Sequence, residues 1–134
     1  MNSNNQAANV VLTVHVRDGT GTFYFPQQLK HALLNTFIRC HAMECVNPDG
    51  KTYFMYSNVS TYQERDDIYK DNLLRMFTAS KNTLEFPTDI NNTLSMTPDR
   101  MSIHIKEWKN NKLQIASHFQ GTAVIELFGF RDYK

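Results

Sequence analysis

The sequence predicts an all-β fold, a two-sheet antiparallel sandwich of single jelly-roll type with about eight strands and at most short helical turns. Three observations carry this reading. Apolar and polar residues alternate with period two, as in "RMSIHIKEWKNNKLQIASHFQGTAVIELFGFR", where three runs are broken by "KNN" and "HFQG". Turn residues recur at the short spacing of a sandwich, as "DGTG", "NPDG", "SKN", "TPD" and "KNN". Helical spacing is confined to "QQLKHALL" and to a stretch running into "NLLRMF", each enough for one short turn. A chain of 134 residues fits one domain with one core.

Residues 1–9 are polar and uncharged, and they read as a flexible N-terminal arm ahead of a single sandwich domain spanning 10–134. The first ten residues have neither a basic start nor an apolar stretch, so they do not resemble a secretory signal. In "VVLTVHVRDGTGTFYF", Leu12, Val14 and Val16 alternate with Thr13, His15 and Arg17. "DGTG" then supplies a tight turn, and Phe23 and Phe25 begin a second strand that Pro26 stops. "LLNTFIRCHAMECV" and "KTYFMYSNVS" flank "NPDG" as a second hairpin, with Tyr53, Met55 and Ser57 on one face and Phe54, Tyr56 and Asn58 on the other. Residues 60–71 are a polar break that reads as a long surface loop. Short strands follow at "LLRMFTA", "TLEF", "TLSM", "RMSIHIKEW", "KLQIASHF" and "TAVIELFGF". Met101, Ile103 and Ile105 face inward, and Leu113 and Ile115 return across "KNN". Val14, Phe37, Ile103, Ile105, Leu113 and Leu127 are the expected core. The last strand is apolar on nearly both faces, which suits a central strand or one against a partner.

Chemistry-bearing residues are sparse. Cys40 and Cys45 are the only cysteines, and on one regular strand their odd spacing puts the sulfurs on opposite faces. They read as reduced, packed thiols, which fits folding inside a cell. The five histidines are scattered, Asp66 and Asp67 are adjacent, and Glu44 and Glu107 have no evident partners. No Gly-rich phosphate loop or nucleophile elbow is present. The expectation is therefore a protein that is not an enzyme and needs no cofactor or metal. Net charge is +1, so no global field recruits nucleic acid, and no apolar run approaches a bilayer span. "KEWKNNK", with Lys106, Trp108, Lys109 and Lys112, is the one basic and aromatic stretch, and lysines there also protect a sheet edge.

Aromatic residues exceed what one inward face requires, which suggests that some lie at an interface. The candidates are Phe23, Tyr24, Tyr53, Tyr56, Tyr62, Tyr69, Trp108, Phe128, Phe130 and Tyr133.

"TYFMYSNVS", then "NLLRMF", then "HFQGTAVIELFGFR" resembles the pattern of jelly-roll minor capsid or vertex proteins of eukaryotic double-stranded DNA viruses and Maverick/Polinton-type elements. The matching positions are Tyr56, Ser57, Asn58 and Val59, then Leu73, Leu74 and Arg75, then Phe119, Gly121, Val124 and Arg131. The chain departs from that pattern at "IYKDN", where the family carries a valine-glycine-aspartate step, and it is shorter than most members. The resemblance implies a virion structural protein, made in the host cytoplasm or nucleus. Its partners would be other capsid proteins and copies of itself, with no membrane, no small-molecule substrate and no nucleic acid. The other reading is a ligand-binding β-sandwich that recognises sugar or protein through its loops.

Overall fold

The structure, a computed structural model, describes residues 5–24, 33–60, 71–87, 92–94 and 100–132. Among these the chain forms ten strands and no helix: β1 (Asn5–Val16), β2 (Thr20–Tyr24), β3 (Leu33–Cys45), β4 (Thr52–Ser60), β5 (Asp71–Thr78), β6 (Thr83–Glu85), β7 (Asn92–Leu94), β8 (Arg100–Lys109), β9 (Lys112–Ile115) and β10 (Gly121–Asp132). Most of "QQLKHALL", where a helical turn is expected, and most of the long polar loop lie outside the described residues; the last two residues of "QQLKHALL", Leu33 and Leu34, belong to β3.

All pairings are antiparallel, and their order reveals the winding. β4 pairs β5, β3 pairs β6 and β7, β2 pairs β8, and β1 pairs β10. The chain is thus one long hairpin ribbon folded at the β4–β5 connection. Rolling that ribbon adds β10 on β3 and β8 on β4, and the short β9 returns against β8. The first sheet then reads β1-β10-β3, with β6 and β7 sharing its far edge; the second reads β5-β4-β8, with β2 and β9 sharing the other edge. Ten segments fill eight positions, and the result is a jelly-roll sandwich.

Two tight turns follow directly from sequence. Asp18 and Gly19 have φ of 54° and 80°, and Asn110 and Asn111 have 55° and 63°. Left-handed pairs of this kind match the twist of the flanking strands, and Asx and Gly tolerate them best. Gly19 also has no room for a side chain, since a Cβ there would lie 2.5 Å from the Ala116 carbonyl oxygen.

The core lies between the sheets. Val14, Ile103, Ile105 and Leu127 are buried as the alternation predicts, with Met101, Ile38 and Ile125 beside them. β10 runs between β1 and β3, which explains its apolar character. The side chain of Phe37 lies outside the described residues. Leu113 is only half-buried, because β9 ends at Ile115 and sits at an edge against β8 alone.

The cysteines correct a second expectation. In the ladder between β10 and β3, Val124 faces Ala42 and Ile125 faces Cys40, so His41 is an extra residue. This bulge reverses the alternation midway along β3. Ile38 and Cys40 before it, and Met43 and Cys45 after it, therefore all point into the core. Both thiols are free and buried. Burial pushes the Cys40 thiol up to about 12, against smaller opposing effects of the Ala42 backbone and of the Arg75 charge. Burial also raises Cys45, helped by the Asp49 charge.

The N-terminal boundary moves as well. β1 begins at Asn5, and residues 5–9 pair with β10 from Asp132 to Phe128. That half of the expected arm is sheet, because the long last strand offers it a ladder.

Candidate functional site

Two features stand out among the described residues: the outer face of the second sheet and a cleft at one end of the sandwich. The face is built by cross-strand register. At one level Met76, Phe54, Lys106 and Ile115 lie side by side across β5, β4, β8 and β9. At the next level the row is Leu73, Tyr56, His104 and Thr20. Met76 is 60% exposed, Leu73 46% and Ile115 37%. Phe54 and Tyr56 are half-buried, and the Lys106 ammonium lies 4.9 Å from the Tyr56 ring centre. An outward sheet face normally alternates to polar residues. Here β4 and β5 supply aromatic and aliphatic residues instead.

Leu73 and Met76 reach this face through a second bulge. Met55 faces Arg75 while Tyr56 faces Leu73, so Leu74 is the extra residue and points inward. A plain period-two reading of "LLRMF" cannot place residues three apart on one face, so sequence reasoning missed both. Only the apolar excess of that stretch hinted at them.

The end cleft gathers residues far apart in sequence. Tyr53 opens the inward face of β4 and stacks with Phe119, ring centres 5.0 Å apart, and with Phe77 at 5.8 Å. This aromatic cluster closes the core. The Tyr53 hydroxyl emerges from it and donates to Asp49 Oδ2 at 2.6 Å. Its one proton is thereby used, so the contact with His118 Nε2 at 2.9 Å has the histidine as donor. His118 Nδ1 lies 3.5 Å from Glu107 Oε2. Asp49 also accepts from the Lys51 amide. Burial works to raise the Asp49 carboxyl, but the Tyr53 and Lys51 hydrogen bonds and the Lys51 charge outweigh it and hold it below its ordinary value. Burial, then the hydrogen bond and charge of Asp49, push the Tyr53 hydroxyl up. Asp49, Lys51, Glu107, Trp108, Lys109 and His118 line a cleft of about 360 Å³. Glu107 thus has the partner that its sequence neighbours do not supply; the sandwich brings it to His118 from the adjacent loop.

The aromatic candidates divide. Tyr24 and Trp108 are exposed. Phe23 is half-buried against the core, and Tyr56 is part of the apolar face. Tyr53 is corrected: at 1% exposure it belongs to the core, because its strand face is the inward one. Tyr62, Tyr69, Tyr133 and the side chains of Phe128 and Phe130 lie outside the described residues. On the outer face of the first sheet, Glu126 holds His41 at 2.7 Å and Arg39 at 3.3 Å, a compact ion cluster across β10 and β3.

Among the described residues no group of three His, Cys, Asp or Glu side chains is arranged to hold a metal ion, and no helix is long and apolar enough to cross a membrane. No protein-family model matches the chain, and no curated protein matches it in sequence.

Proposed function

We propose that this chain is a structural protein of a virion, a small jelly-roll capsid or capsid-associated component that works by packing against neighbouring subunits. The observation that carries the reading is the outer face of the second sheet, where Leu73 and Met76 stand exposed beside Phe54 and Tyr56. An apolar patch on an outward face is costly in water and is the usual mark of a binding surface. The jelly-roll winding and the resemblance of "YSNV", "LLR" and the closing hairpin to minor capsid proteins support the same assignment. Capsid proteins and further copies of the chain are its partners, and the virion is its place.

The test replaces Leu73 and Met76 together with aspartate. Both side chains are exposed, so the monomer keeps its fold. Light scattering on the eluting protein then shows whether self-association, or binding to a co-expressed capsid partner, is lost. A wild-type chain that stays monomeric and binds no capsid protein overturns the reading.

A second reading is favoured by the end cleft, where exposed Trp108 stands near carboxylates and lysines. That is the furniture of a module that recognises sugar or protein through its loops. Glycan titration followed by Trp108 fluorescence separates the two, since a capsid contact through the sheet face leaves that signal unchanged.

A further inference from the structure

We infer that the outer edge of β1, which no described strand pairs along residues 5–13, pairs with β1 of a second copy, antiparallel across a two-fold axis, so that the first sheet runs on from one molecule into the next. The inference rests on the assembly reading above and names the geometry of one of its contacts.

The edges of the two sheets are not alike. β6 and β7 are three residues each, and β2 and β9 are five and four, so those edges are short and broken. β5 carries Asp71 and Arg75 and is bent by the bulge at Leu74. These are the ordinary ways of keeping an edge from recruiting another strand. β1 has none of them. It is twelve residues, "NQAANVVLTVHV", with no Lys, Arg, Asp, Glu, Pro or Gly. It pairs with β10 in unbroken register from Asn5 to Val16, with no bulge to twist it away. Val10, Leu12, Val14 and Val16 anchor its inward side. β2 crosses its far end: a Cβ on Gly21 would meet the His15 carbonyl oxygen at 2.5 Å. The open stretch is therefore residues 5–13, long enough for a full ladder.

The composition also selects the occupant. Two-fold antiparallel pairing sets each residue against the same strand of the copy, and its central residue against itself. Any charge near the centre would then face its own sign. Residues 5–13 carry no charge, and Asn9 is their centre. A strand adapted to a foreign basic or acidic peptide would show the complementary charge.

The experiment pairs sedimentation with amide hydrogen exchange, on the full chain. Wild type should form a dimer whose dissociation follows concentration, with amides of residues 5–13 gaining protection as the dimer forms. The double variant Asn9→Lys, Val11→Lys places the two ammonium groups at position 9 opposite one another at the two-fold, with those at position 11 flanking them. Val11 is exposed and pairs with Glu126 of β10, so a lysine introduced there meets a carboxylate and the monomer's Tm should hold. Dimerisation should weaken at least about tenfold. If the variant does not fold, exchange in the wild type still decides. A dimer whose β1 amides gain no protection overturns the edge contact and leaves assembly through the second sheet standing. A chain monomeric at all concentrations overturns the edge contact, and the assembly reading falls with it only where the chain also binds no capsid protein. Protection of β1 only upon addition of an unrelated strand-forming peptide, with the chain itself monomeric, also overturns the inference.

Discussion

The buried hydroxyl of Ser57 sits in the core with no hydrogen-bond partner among the described residues, opposite Ile103 in the sheet. An unpaired buried hydroxyl loses its water and gains nothing, at a cost of about 1–3 kcal/mol. Ser57→Ala should therefore raise stability by about 1 kcal/mol, read as a higher urea midpoint at constant slope; a lower midpoint would reveal a partner. Ile105 is fully buried on a strand without a bulge, and its truncation to alanine should cost about 2–5 kcal/mol. At the cleft, the Asp49 carboxyl is held below its ordinary value of 3.8. A group whose folded pKa is depressed stabilises the fold above its unfolded value and stops doing so as pH falls through the folded one. Tm should consequently drop as pH is lowered below about 4. Tyr53→Phe removes the proton donor and should flatten that acid limb. A limb of unchanged steepness would show that the Tyr53–Asp49 bond plays no part in it.

Bulges decide what the elements expose. β8 has none, so Met101, Ile103 and Ile105 were legible from alternation alone. β3 has two, at Leu34 and at His41, and because of the one at His41 alternation failed at Met43 and Cys45 although every residue type was in view. The bulge is set by pairing with β10, some eighty residues later, and no local signal marks it. Deleting His41 should expose its importance. Without the extra residue, either Ile38 and Cys40 or Met43 and Cys45 must leave the core. Several large side chains are involved, so the loss should exceed about 4 kcal/mol, measured by denaturant unfolding. A near-native midpoint would mean that the strand re-forms the bulge elsewhere. In native protein both thiols should also resist a thiol reagent and react only on unfolding, since each is buried and raised in pKa. The end cleft was illegible for a related reason: Asp49, Tyr53, Glu107 and His118 come from three separate stretches, and only the rolled ribbon brings them together.

At the scale of the whole molecule, the ribbon ends where it began, with β1 on β10. That closing pair is the longest in the fold, and it joins the two termini of the described chain. A sandwich closed by its own ends ties stability to the N-terminal segment, which composition alone would leave as a solvated arm. The polar residues 5–9 contribute ladder hydrogen bonds, and through them they keep the far half of β10 from becoming an edge. Removing residues 1–9 should therefore lower Tm by at least about 5 °C, whereas a free arm would leave it unchanged. The same truncation takes away half of the open β1 edge, so self-association through that edge should fall along with stability. The charged double variant separates the two effects, because it blocks the edge and keeps the β1–β10 ladder. If truncation weakens the dimer and leaves Tm untouched, residues 5–9 act only in assembly, and the ladder they make with β10 carries no part of the fold's stability.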